Sequence, residues 1–272
     1  MQRDSIANTF RVAILLCLVC SVAVSSLAVG LREIQKRKKE EFRQQNILKA
    51  GGLWPKSPDG EDLDNGDVDT KALFKGHITS VVLDFSKDKL TKAWEPGAKE
   101  IGTEAALRDA ALSQEIDGSQ EMGSDIAGIR RRETYATIYE VRDGDRLKTL
   151  ILPIRGYGLW STLWGFIAID FSSVTADPTS LKVVGLAYYK HAETPGLGGE
   201  VDNETWKEKW NDKQVFDSDW KVRLEVAKNA SGNYQVDALS GATLTSNGVS
   251  NMLLYWLGEP GHGPYLKSLL EK

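Results

Sequence analysis

Residues 134–154 read Thr-Tyr-Ala-Thr-Ile-Tyr-Glu-Val-Arg-Asp-Gly-Asp-Arg-Leu-Lys-Thr-Leu-Ile-Leu-Pro-Ile. Residues 134–142 alternate as a half-buried strand does, and residues 146–154 continue the pattern. Between them stands Asp143-Gly144, a favoured hairpin turn. The pair predicts antiparallel sheet. Outward from it, residues 77–85, 161–171 and 181–189 read as further strands, the last reached through a turn containing Pro178. A helical stretch is expected around residues 104–115. Many strands joined by turns, with helices at the edges, give an α+β fold with antiparallel sheet and flanking helices. No long internal repeat is visible.

Ahead of the strands, residues 12–31 are a run of 20 without a charge, beginning after Arg11 and stopping at Arg32. As a helix the run is about 30 Å long, which matches the hydrocarbon core of a bilayer. It reads as a single transmembrane helix rather than a cleaved signal peptide, whose apolar region is shorter. Residues 33–49 extend it as a charged helix until Gly51-Gly52. The expected organisation is a tail at 1–11, a membrane helix at 12–31, a charged helical linker at 32–58 and a single domain at 59–272. Two Lys/Arg precede the membrane helix and six follow it closely, a count that by itself puts the domain in the cytoplasm. Cys17 and Cys20 share a face of the helix, either as a redox or metal pair or as two small apolar residues.

The 272 residues are 41% hydrophobic and 26% charged, as in an ordinary globular protein. Net charge is -4, with +4 in residues 1–45 and therefore -8 in the remainder. An acidic main body argues against nucleic-acid binding. It contains no cysteine, which excludes a cysteine-ligated zinc or iron–sulfur site there. His77, His191 and His262 are scattered, and no metal site is expected. The acidic residues 59–69 miss the register of a calcium loop and read as a solvated turn.

Three segments rich in small residues could carry chemistry. They are Gly156-Tyr157-Gly158-Leu159-Trp160-Ser161, then His191-Ala192-Glu193-Thr194-Pro195-Gly196-Leu197-Gly198-Gly199-Glu200, then Asp237-Ala238-Leu239-Ser240-Gly241-Ala242-Thr243-Leu244-Thr245-Ser246. Glycine lets backbone approach a ligand closely. Neither nucleotide-binding glycine fingerprint is present, so a bound nucleotide would need another tether. Ser240, Gly241 and Ala242 leave room beside Thr243 for a phosphate. Residues 245–248 read as the start of an apolar helix, where free amides and the dipole favour an anion. The plain alternative is that Thr and Ser cap that helix. His191 opens the second segment, beside Glu193–Gly198, either as a tuning group or as a structural histidine.

The Asp237–Thr243 motif resembles the covalent flavin mononucleotide (FMN) signature of respiratory flavin domains. Glu193–Gly198 and Gly158–Ser161 resemble two further loops of that family. With the apolar N-terminal run and the closing Trp256-Leu257-Gly258 and Gly263-Pro264-Tyr265-Leu266, the chain is similar to the C subunit of the sodium-translocating NADH:quinone reductase. The FMN-carrying G subunit of the Rnf complex shares the flavin motif and matches the rest less well. The resemblance implies an FMN-binding domain with FMN held by a phosphoester on Thr243. It implies that Asp237, Ser240, Gly241, Ala242 and Thr245 belong to the attachment segment. Glu193, Thr194, Gly196, Leu197 and Gly198 would lie beside the flavin, and Trp160 would border its ring. It further implies a flavin transferase using FAD and magnesium, partner subunits in a bacterial inner membrane, and a periplasmic domain, against the charge count. The role implied is electron relay from NADH toward ubiquinone, coupled to sodium export, with no catalytic acid or base of its own. One helix without intramembrane carboxylates is a poor ion path, so ion movement belongs to partners. An anchored structural module with a vestigial flavin site, or a noncovalent ligand binder, would share the fold but not the adduct.

Overall fold

The structure, a computed structural model, describes residues 6–64, 66–85, 103–116 and 125–271. It divides into two units, residues 1–43 and 44–272. The first consists of most of helix α1, Ile6–Ala50. Its apolar side chains, among them Leu15, Val19 and Leu27, are exposed all round, and the helix is long and apolar enough to cross a membrane. An all-round apolar surface is unstable in water and stable in lipid. Past the apolar run, charged pairs such as Lys38–Glu41 (3.0 Å) cover the helix.

The second unit begins at Gln44, ahead of the boundary expected at residue 59. Its first residues belong to the domain because Ile47, Leu48, Ala50 and Trp54 are buried in it. The helix stops where expected. Gly52 takes φ +68°, its N–H bonds Lys49 O (3.1 Å), and Leu53 N–H bonds Leu48 O (2.8 Å). That is a glycine-terminated helix end, with the last carbonyls satisfied by the reversing chain.

The remaining elements are α2 (Thr70–His77), β1 (Ile78–Asp84), α3 (Thr103–Ala106), β2 (Ser113–Glu115), β3 (Arg131–Glu133), β4 (Tyr135–Asp143), β5 (Arg146–Tyr157), β6 (Thr162–Asp170), β7 (Lys182–Lys190), α4 (Glu204–Glu208), β8 (Glu225–Ala227), β9 (Gln235–Asp237), α5 (Thr243–Leu257) and α6 (Gly263–Leu270). Strands β1-β4-β5-β6-β7 form one sheet in that order, antiparallel throughout. The expected strands all appear. The helix expected around residues 104–115 is only α3. The Asp109 carboxylate turns the chain by accepting Ala111 N–H (2.8 Å), and Ser113–Glu115 then pairs with β3. A short parallel pair, β8 with β9, leads into the Asp237 segment.

Both faces of the sheet are covered. Successive side chains of a strand point to opposite faces. Leu150, Leu152 and Ile154 of β5 join the core with Ile167 and Ile169, on which α5 packs through Val249, Met252, Leu253 and Trp256. Ile151, Phe166, Ala168 and Tyr139 meet the end of α1 on the other face. Close approach there needs glycine: a Cβ on Gly185 would lie 2.6 Å from Ala50 O. The acidic turn is used locally, with Asp62 paired to Lys49 (2.6 Å) and Asp69 capping α2 through Ala72 N–H (3.0 Å).

Candidate functional site

The three segments meet at one carboxylate. Glu193, 5% exposed, sits after β7. Its Oε1 accepts Trp160 N–H (3.0 Å), Ser161 N–H (2.9 Å) and the Ser161 hydroxyl (2.9 Å). Its Oε2 accepts Leu159 N–H (3.1 Å) and the Thr245 hydroxyl (2.8 Å). Burial works against its ionised form, but the bonds from Thr245, Leu159, Trp160 and Ser161 outweigh it and hold the carboxyl below its ordinary range. An anion with this many donors ties the β5–β6 turn, the loop after β7 and the first turn of α5 into one body.

Glycines make the knot possible. A Cβ on Gly158 would lie 2.8 Å from Glu193 Oε1, and one on Gly198 would lie 2.6 Å from Thr245 Oγ1. Gly248 of α5 lets the helix touch β5, where a Cβ would sit 2.3 Å from Tyr157 O.

Helix α5 begins at Thr243, earlier than residues 245–248. Ala242 is its N-cap residue, and no side chain caps it. Thr243 is thus the first helical residue and not the cap. Ser246 N–H is the first amide bonded back, to Ala242 O (3.0 Å), which leaves the amides of residues 243–245 at the open end. The Ser246 hydroxyl oxygen accepts Leu239 N–H (3.1 Å) and closes the motif loop. Gly241 turns that loop with φ +69°, a conformation that favours glycine, and packs under Leu197.

The side chains divide into two sets. Thr243, Ser240, Thr194 and Gly196 are exposed, and so are the large apolar residues Trp160 (67%), Leu244 (59%) and Leu197 (44%). Glu193, Gly198, Ala242 and Thr245 are buried. Thr245, expected in the attachment segment, is engaged by Glu193 instead of facing solvent. Asp237 lies outside the knot. Lys209 (3.1 Å) holds its carboxyl below the usual range, aided by Ala230 N–H, and Trp206 Nε1 donates to its carbonyl (2.8 Å). Sequence reasoning did not single out Ser161 as a Glu193 partner or Leu244 as an exposed apolar neighbour of Thr243. The Ser161 hydroxyl both donates to Glu193 and accepts Ala192 N–H (2.9 Å).

His191 bridges the second loop, with Nε2 on Asp202 (2.7 Å) and Nδ1 accepting Glu193 N–H (3.2 Å). His262 is fully buried, bonds Pro153 O (3.0 Å), and is pushed down to about 4 by burial. A cavity of about 510 Å³ beside Arg132 and Tyr255 is lined by none of the residues of the knot. Among the described residues no cluster could hold a metal ion.

The residues fit FMN as a surface-tethered group. A phosphate on Thr243 would meet an uncapped helix start with no acidic residue in its first turn. Trp160, Leu197 and Leu244 are exposed apolar side chains that a planar ring could cover.

These features define an FMN-binding domain, and residues 158–258 match the family of that description. The chain is 39% identical to the C subunit of the Na(+)-translocating NADH-quinone reductase of Pseudomonas aeruginosa, over 98% of this chain and 97% of that one. It is 40% identical to the corresponding protein of Yersinia pestis, over 99% and 95%. The chain belongs to this family, the C subunits of Na(+)-translocating NADH-quinone reductases. Its fold resembles the crystal structure of Shewanella oneidensis NqrC, with a TM-score of 0.70 at 24% identity, covering 87% of this chain and 100% of that one. It also resembles the crystal structure of the C subunit from Parabacteroides distasonis, with a TM-score of 0.58 at 20% identity, over 89% and 98%.

Proposed function

We propose that this chain is the electron-relay subunit of a sodium-translocating NADH:quinone reductase, with FMN esterified through its phosphate to Thr243. The observation that carries this reading is the exposed Thr243 hydroxyl on the first residue of a helix with free amides and no side-chain cap. Thr243 Oγ1 loses its proton and bonds to the FMN phosphorus of FAD as the pyrophosphate bond breaks and AMP leaves, in a step catalysed by a magnesium-dependent flavin transferase that reads residues 237–243. When bound, the flavin supplies one-electron redox chemistry between NADH and ubiquinone. The protein's own work is positional. The amides of α5 stabilise the single negative charge of the phosphodiester. The Glu193 knot fixes the turn at Trp160 and the loop at Leu197 against Thr243. No side chain of the knot is placed for acid–base work, because Glu193 is saturated by donors.

The apolar helix α1 anchors the domain in a bacterial inner membrane, with the domain on the periplasmic side. Sodium export belongs to partner subunits. The test is co-expression with a flavin transferase, followed by in-gel flavin fluorescence. The wild type becomes fluorescent and Thr243→Ala stays dark. A dark wild type contradicts the function, and a fluorescent Thr243→Ala contradicts the residue.

A further inference from the structure

The segment from His191 to Asp202 carries Glu193, Leu197 and Gly198, and one ring closes it. The His191 imidazole spans from the end of the 3-10 turn Gly198–Asp202 to the backbone of Glu193, two residues away. Its side chain is 14% exposed. An N–H donated to Nδ1 requires that nitrogen to be bare, so Nε2 carries the proton and donates it to Asp202. A second proton can go only to Nδ1, where it faces the Glu193 N–H and removes its acceptor.

We propose that His191 is the positioning residue of this loop: neutral, it holds Glu193 N–H and Asp202 at once, and protonated it releases Glu193 N–H while keeping Asp202. The groups facing the ring are Asp202 from the 3-10 turn and the Glu193 carboxylate from its own loop. The buried Tyr188 of β7 feels the charge of the same Asp202. Its neighbour Lys190 is occupied by Glu104 (2.9 Å). Both acidic groups favour the imidazolium. The hydrogen bond to Asp202 is the largest influence and, against the cost of burial, raises the ring above its ordinary value. Protonation therefore sets in at higher pH than for a free imidazole. It acts on the backbone of the residue whose carboxylate orders Trp160 and Thr245. That this loop borders the flavin rests on the function proposed above; the contacts of the ring do not.

Two readouts on the full-length, detergent-solubilised chain test this, after co-expression with a flavin transferase. The first is histidine-selective NMR, in which the imidazole signal lost in His191→Gln is followed against pH. Its midpoint should lie above about 6.5 and fall in Asp202→Asn. The second is visible circular dichroism of the attached flavin, with flavin content measured separately by fluorescence. The wild-type band should change with pH around the same midpoint as the His191 imidazole signal. His191→Gln, which can donate and accept but not titrate, should keep the high-pH band throughout. His191→Ala, which loses both partners, should lose the pH dependence together with the high-pH band. A His191 midpoint at or below about 6.5, or a His191→Gln band that tracks the wild-type pH profile, overturns the inference. A wild type that carries no flavin contradicts the proposed function instead, and the NMR midpoint then decides this inference alone.

Discussion

Thr245 Oγ1 donates to Glu193 Oε2 at 2.8 Å across 52 residues of chain, and both groups are buried. This bond joins the first turn of α5 to the loop after β7. The same carboxylate reaches the β5–β6 turn through Leu159, Trp160 and Ser161. The exposed surface around Thr243 is thus held from beneath by a single anion.

Replacing Glu193 by Gln tests that anion. An amide has one acceptor oxygen, so at least two of the donors lose their partner. Hydrogen bonds to charged groups contribute roughly 1.5–3 kcal/mol each, so a loss of about 3 kcal/mol or more is expected. Urea denaturation followed by near-ultraviolet circular dichroism measures it. Because the folded carboxyl lies below its ordinary range, its contribution is present above about pH 4.3 and fades as pH falls further. A Glu193→Gln domain as stable as wild type at pH 7 would refute the role.

Gly198→Ala probes the packing of the knot. The new Cβ would lie 2.6 Å from Thr245 Oγ1 and 2.8 Å from Glu193 Oε2. Overpacking of this kind costs roughly 1–3 kcal/mol. The expected result is a lower urea midpoint with an unchanged denaturant slope.

His262 gives the domain a specific acid sensitivity. Its ring stays neutral in the fold down to about pH 4 and takes a proton near its ordinary value of 6.5 when unfolded. The depressed value favours the unfolded chain as pH drops from 6.5 toward 4. Stability should fall across that window by about 3 kcal/mol, from the size of the shift. His262→Gln should flatten this part of the stability–pH curve, even if it lowers the curve as a whole.

Topology is the prediction where two sequence signals conflict. Six Lys/Arg follow the apolar run and two precede it, yet the proposed function places the domain outside the cytoplasm. A C-terminal alkaline phosphatase fusion should be active in whole cells. An inactive phosphatase together with an active cytoplasmic reporter at the same position would reverse the orientation.

The sheet was legible because alternation is local: residues 134–142 and 146–154 carry the period of two in adjacent residues. The three segments were legible as well, through their small residues. Their meeting point was not. Glu193 reaches partners 32–34 residues before it and 52 after it, and no local pattern encodes such a pairing. The same holds for Ile47, Leu48 and Trp54, which sit among charged residues and read as linker until the sheet face that buries them is known. The start of α5 was placed late because Thr243 looks like a cap in sequence. In the fold Ala242 holds that position without capping, and the open helix end is what makes the threonine a candidate acceptor.

The central claim is that Thr243, and no neighbouring hydroxyl, carries the flavin. Tandem mass spectrometry of the tryptic peptide between Lys228 and Lys267, from protein co-expressed with a flavin transferase, tests it directly. The peptide contains Ser231, Ser240, Thr243, Thr245, Ser246 and Ser250. The account predicts one FMN phosphoester, located on Thr243 and absent from Thr243→Ala. A phosphoester on Ser240, Thr245 or Ser246, or an unmodified peptide from the wild type, would contradict it.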